Sequence, residues 1–176
     1  MTEWKFERCI KHIQLGNKNG LREIYDDYIT FIYSIILSII RNKQDAEDVT
    51  SEFFIRLWNM ADDYRPSHKH KAWLAAIAHN MSIDFLRKYH REILIGDIPE
   101  SSDISKESLE SQVVEKLSFE EALAALGEKE EQIINFKILG QLTFKEIANI
   151  MQMPLGTVTW KYQSGIEKLR RSGYGT

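Results

Sequence analysis

A single cysteine, Cys9, stands in 176 residues, which excludes an intramolecular disulfide and any multi-cysteine zinc site. Its expected place is that of a small buried apolar residue on an N-terminal helix. Long apolar runs are missing as well. The greasiest stretch, FIYSIILSII at residues 31–40, is broken by Ser34 and Ser38. It falls well short of the ~20 apolar residues that a membrane-spanning helix requires, and it reads as a buried core helix. The opening MTEWKFERCIKHIQLG has no continuous apolar segment of the secretory kind. A cytoplasmic protein without membrane insertion is therefore expected. No alternating apolar–polar stretch bounded by hairpin turns occurs, so nothing announces a sheet.

Charge of one sign is also lacking overall, with a net value of −3, but its distribution is uneven. Residues 64–91 carry Arg65, Lys69, Lys71, Arg87, Lys88 and Arg91 against Asp84 alone, together with four of the five histidines. Residues 97–130 hold ten acids against three lysines, and residues 131–176 hold six Lys/Arg against Glu131, Glu146 and Glu167. Two basic blocks separated by an acidic one suggest two surfaces for polyanions joined by a spacer.

Helical spacing fills the rest. Leu21, Ile24, Tyr25, Tyr28, Ile32, Ile35, Ile36 and Ile39 recur at three and four residues, which predicts one buried helical face. Ala46, Val49, Phe53 and Leu57 predict a second, and Trp73, Ile77, Met81 and Phe85 a third. Residues 95–112, IGDIPESSDISKESLESQ, have a proline, five serines and several acids but no apolar period, which predicts a mobile acidic linker. Further helices are expected at about residues 113–126, 129–139, 144–151 and 155–171. The predicted fold is all-α: two small helical domains, residues 1–94 and 113–176, joined by a linker at 95–112.

LTFKEIANIMQMPLGTVTWKYQSGIEKLR, residues 142–170, is the most specific segment. Thr143 followed by Glu146 is a capping box that starts a helix. The MPLG tetrapeptide ends that helix and begins another, since proline disfavours helix at Met153 and suits a helix start. Two helices joined by so short a turn make a helix-turn-helix, whose second member normally enters the DNA major groove. At 100° per residue Val158, Tyr162, Ile166 and Leu169 form its buried stripe, with Gly165 permitting close approach. Thr157, Trp160, Lys161, Gln163, Ser164, Lys168 and Arg171 point outward, and Thr159 joins them as a candidate contact. Lysine and arginine neutralise phosphates, while glutamine and threonine read base edges. Trp160 has two open readings: covered by its own chain, or in contact with DNA or a protein partner.

KAWLAAIAHNMSIDFLRKYHR, residues 71–91, carries His79, Asn80, Ile83, Arg87 and His90 opposite its predicted buried stripe. The preceding loop, DYRPSHKHK, mixes Tyr64 with Arg65, Lys69 and Lys71. Cations that follow a backbone and aromatics that stack on bases suit single-stranded nucleic acid, and a plain solvated face is the competing reading. His68, His70, His79 and His90 are too loosely spaced for a metal site, and no metal or cofactor is expected.

With both basic blocks in view, the chain resembles the extracytoplasmic-function (ECF) class of bacterial RNA polymerase sigma factors. Residues 45–58, DAEDVTSEFFIRLW, resemble the family's core-polymerase-binding segment. Residues 73–91, WLAAIAHNMSIDFLRKYHR, resemble its promoter-melting and −10-reading segment, and residues 142–170 its −35-reading helix-turn-helix. The resemblance implies a specificity subunit that makes or breaks no covalent bond, with core RNA polymerase, promoter DNA and an anti-sigma factor as partners. It implies core-polymerase contacts at Asp45, Asp48, Glu52 and Phe53. It implies −10 contacts among Tyr64, Arg65, Lys69, Lys71, His79, Asn80, Ile83, Arg87, Lys88 and Arg91. On this reading the acids at 45, 48 and 52, which share a 60° arc while Glu47 lies nearly opposite, form a handle for a larger machine. Catalysis would need a polarised pocket with a partner base or metal ligand, and the neighbouring sequence offers neither.

Two departures stand out. Where the family commonly has a Ser-Arg pair and a later arginine in the recognition helix, this chain has Trp160, Lys161 and Ser164, which weakens bidentate reading of guanine. His79 stands where the family favours arginine or lysine before Asn80.

Overall fold

The computed structural model describes residues 1–66, 69–95 and 126–172. Among them the chain forms seven α-helices and one short 3-10 turn, and no strand. The helices are α1 Glu3–Gln14, α2 Lys18–Ile40, α3 Lys43–Asn59, α4 His70–Ile95, α5 Glu128–Ile138, α6 Phe144–Met151 and α7 Leu155–Arg171, with the 3-10 turn at Ala61–Asp63. Two compact units result, Met1–Arg91 and Glu92–Thr176. The predicted linker at 95–112 and the predicted helix at 113–126 lie essentially outside the described residues.

In the first unit the helix starts are set by local chemistry. Thr2, Asn17 and Asn42 each accept a hydrogen bond from a backbone N–H two or three residues on, satisfying donors that the first helical turn leaves free. The α2–α3 corner is made by Arg41 in the left-handed region, φ 61°. Phe6, Ile24, Ile32, Ile36, Phe53, Leu57 and Leu74 have no more than traces of exposure and form the core. Cys9 is buried there as expected, and burial pushes its thiol pKa up. Helix α1 packs on α2 so closely that a Cβ at Gly20 would stand 2.4 Å from the Cys9 carbonyl oxygen.

Two expectations about burial need correction. Tyr25 is 44% exposed, lying over Phe54 at 4.8 Å instead of entering the core. Helix α4 buries Leu74, Ala75, Ala78, Met81 and Ser82, whereas Trp73, Ile77 and Phe85 are only half-buried. The buried face is thus turned by about 90° from the predicted one, taking 100° per residue. Small side chains allow the close approach that bulky ones would prevent.

In the second unit α5 and α6 both pack on α7. The capping box at α6 is formed: Glu146 N–H donates to Thr143 Oγ1, and Thr143 N–H donates to Glu146 Oε2 at 2.9 Å. Gln152, with φ 52°, ends the helix, and Pro154 caps α7. The bounds of α6 and α7 coincide with those expected from sequence.

Candidate functional site

Three surfaces carry the chemistry. The first lies on α3. Asn42 caps this helix by accepting from Asp45 N–H at 3.0 Å, and an acid in the first turn also suits the helix dipole. Asp48 and Glu52 are exposed and Asp45 is partly so. Phe53 is a correction: it is fully buried, edge-on to Phe54 at 5.1 Å, and presents nothing to a partner. Sequence reasoning missed Ile55, which is 63% exposed. Its position seven residues after Asp48 was the available signal, because that spacing returns to the same helical stripe. The three acids and Ile55 thus share one stripe of α3, ionic along most of its length and apolar at its C-terminal end.

The second surface spans the segment before α4 and the outer face of that helix. Arg65 and Lys69 are exposed. The Arg65 guanidinium donates to the carbonyl oxygens of Asp62, at 2.9 Å, and Tyr64. Tyr64 itself is a correction. It is 5% exposed, packs against Phe6 and Trp73, and donates its hydroxyl to Glu3 Oε1 at 3.3 Å. Burial and the nearby Glu3 and Glu7 carboxylates push its pKa up to about 12. His79 is corrected too, since at 8% exposure it belongs to the packed side of α4. Asn80, Arg87, Lys88 and Arg91 are exposed, Lys71 and Ile83 partly so, and Arg87 donates to Asp84 at 3.3 Å. At 100° per residue, half-buried Trp73 falls on the same face as Asn80, Arg87 and Arg91. It packs on the buried Tyr64 at 4.9 Å and is the less buried aromatic of the two.

His70, the first residue of α4, is buried. Its Nδ1 faces Glu3 Oε2, and its Nε2 lies 2.5 Å from the Tyr28 hydroxyl. Burial lowers the His70 pKa, and Glu3 opposes that shift. A carboxylate–imidazole–hydroxyl chain resembles a nucleophile triad in order, but Tyr28 is buried and its hydroxyl offers no open face to a substrate. His68 lies outside the described residues. Among the described residues no group of three or more histidine, cysteine or carboxylate side chains is placed to hold a metal ion.

The third surface is α7. Val158 is fully buried, Tyr162 meets Phe144 at 5.2 Å, and a Cβ at Gly165 would stand 2.8 Å from Ile134 Cδ1. Thr157, Thr159 and Lys161 are partly exposed and Gln163 and Arg171 fully so. Thr159 turns its hydroxyl back to the Leu155 carbonyl, and Arg171 pairs with Glu167. Trp160 is 62% exposed, with Lys161 Nζ 5.6 Å from its ring centre.

Ser164 and Lys168, expected to face DNA, are corrected. Both donate to the buried carboxylate of Glu130 on α5, at 2.8 and 2.7 Å. Burial alone would raise the Glu130 pKa. Hydrogen bonds from Lys168, the Gly127 N–H and Ser164 prevail and hold it at about 2. Glu130 was invisible as a site residue because it sits in a run of exposed-looking acids.

Comparison with known proteins assigns both units. Residues 24–92 match the Sigma-70 region 2 family and residues 122–171 match the Sigma-70, region 4 family. The chain is 31% identical to the ECF RNA polymerase sigma factor SigM of Bacillus subtilis over 133 residues, covering 74% of this chain and 81% of that one. It is 28% identical to SigW of the same organism, covering 96% and 97%. In fold it is similar to the sigma factor RpoE of Bartonella quintana, solved with the anti-sigma factor NepR. That likeness has a TM-score of 0.68 at 19% identity and covers 88% of this chain and 96% of that one. No described helix is long and apolar enough to cross a membrane.

Proposed function

The chain belongs to the ECF class of RNA polymerase sigma factors, and from that membership we propose how its residues divide the work of promoter-specific transcription initiation. A sigma factor binds core polymerase, recognises the −35 and −10 elements and nucleates strand opening. Residues 1–94 are assigned to core-polymerase and −10 binding, residues 95–112 to a tether, and residues 113–176 to −35 binding.

Asp45, Asp48 and Glu52 form ion pairs with basic groups of the polymerase, and Ile55 adds an apolar contact at the C-terminal end of their stripe. Arg65, Lys69, Lys71, Arg87, Lys88 and Arg91 follow the phosphates of the opened −10 strand. Trp73, Asn80 and Ile83 meet its bases, offsetting the few kcal/mol that unstacking a base costs, on the order of 1–3 kcal/mol per stacked ring. On the duplex −35 element, Thr157, Thr159, Lys161, Gln163 and Arg171 of α7 make the contacts, with Trp160 beside them. The relatives solved with anti-sigma factors support such a protein as a further partner.

The observation that carries this reading is the exposed acid-and-isoleucine stripe on α3 in the same chain as a helix-turn-helix. Transcription in vitro from a genomic library, with core polymerase and the purified chain, tests it. Specific run-off products are expected only when the chain is present. Asp48→Lys with Glu52→Lys is expected to weaken core-polymerase capture by about tenfold or more. Unchanged capture in a pull-down would remove the handle assignment.

A further inference from the structure

We propose that Glu3, on a helix outside the region 2 match, is a positioning residue for strand capture: its carboxylate clasps Tyr64 and His70, the two anchors of the segment carrying Arg65 and Lys69. The matched region begins at residue 24, so α1 lies wholly before it. Yet α1 supplies the groups that hold both ends of this segment. Glu3 Oε1 accepts from the Tyr64 hydroxyl at 3.3 Å, and Glu3 Oε2 faces His70 Nδ1. A carboxylate only accepts, so Nδ1 carries the proton and Nε2 is free to accept from the Tyr28 hydroxyl.

The rings reinforce the arrangement. Phe6, one helical turn from Glu3, stacks on His70 with ring centres 4.5 Å apart and 19° between planes. It meets Tyr64 edge-on at 5.4 Å. Trp73 closes the group against Tyr64 at 4.9 Å. Tyr64 and His70 are buried, whereas Arg65 and Lys69 between them are exposed. Fixing the two ends reduces the conformational freedom that the cations would otherwise lose on gripping a strand. Glu3 touches no DNA in this scheme. It acts through Tyr64 and His70, and the proposal rests on the assignment of Arg65 and Lys69 to the −10 strand.

The test uses holoenzyme assembled from core polymerase and the full chain. Its probe is a forked DNA cut from a promoter recovered by the library transcription, single-stranded across the −10 element. A duplex ending upstream of that element serves as the second probe. Glu3→Gln and His70→Phe, the latter keeping a ring on Phe6, are each expected to weaken forked-DNA binding by about tenfold, the scale of one charge-assisted hydrogen bond. Binding to core polymerase and to the duplex probe should stay within about twofold, and the double variant should be little worse than either single one. Equal losses on both probes would mark a general folding defect and overturn the clasp, as would unchanged forked-DNA binding in Glu3→Gln. Arg65→Ala with Lys69→Ala is the control. Wild-type affinity in that variant overturns the strand assignment itself, and a loss there with none in Glu3→Gln overturns the clasp alone.

Discussion

Glu130 illustrates what one side chain contributes at the residue scale. Removing a carboxylate from water is costly, but three donors converge on this one, from α7 and from the backbone at its own helix start. Its pKa falls from 4.5 to about 2, so the folded state favours the ionised form. The resulting stability is fully present above about 4.5 and is lost as pH falls toward about 2. Glu130→Gln is expected to destabilise the C-terminal unit by about 2 kcal/mol at neutral pH, allowing for the solvent around Lys168. The gap to wild type should close in acid. Chemical denaturation followed at a series of pH values checks this, and a gap that persists unchanged at the lowest pH would refute it.

At the scale of the element, helix bounds and helix faces differ in how far they can be read in advance. The bounds of α6 and α7 were legible because a capping box, a proline and a short break act within a few residues. The buried face of α4 was not. Weighting large apolar residues picked out Trp73, Ile77, Met81 and Phe85, but close packing selects the small Ala75, Ala78 and Ser82. The same logic governs Gly20 on α2. A methyl group there would meet the Cys9 carbonyl oxygen at 2.4 Å and His12 Cβ at 2.8 Å, so α1 would have to move. Gly20→Ala is therefore expected to destabilise the N-terminal unit by about 2 kcal/mol, despite the ~1 kcal/mol that alanine gains in a helix interior. A thermal melt that rises instead would show that α1 yields without cost.

At the scale of the whole molecule, charge is partitioned where net charge is almost balanced. A value of −3 would discourage any polyanion if spread evenly, but Arg65, Lys69, Arg87, Lys88 and Arg91 lie close together in the chain and are exposed. Binding that releases counterions weakens with salt in proportion to the phosphates neutralised. Replacing Arg65 or Lys69 by alanine is expected to reduce the slope of log affinity against log salt by about 0.7 for each cation that lies on the single strand. Filter binding of holoenzyme to the forked promoter over a salt series measures this. An unaltered slope would place those cations off the DNA.

The amino-acid sequence by itself determined the all-helical class, the helix-turn-helix with its bounds, and the acidic stripe on α3. Each depends on spacing and capping within one or two helical turns, where physical interactions are local. Only the tertiary structure decided which candidates reach solvent. It withdrew Phe53, Tyr64 and His79 into packed surfaces, turned Ser164 and Lys168 toward Glu130, and brought out Ile55. The partners responsible stand far away in the chain: Glu3 is 61 residues from Tyr64 and 67 from His70, and Glu130 is 34 residues from Ser164. A side chain's exposure is set by whichever distant group packs over it, and no local pattern encodes that choice.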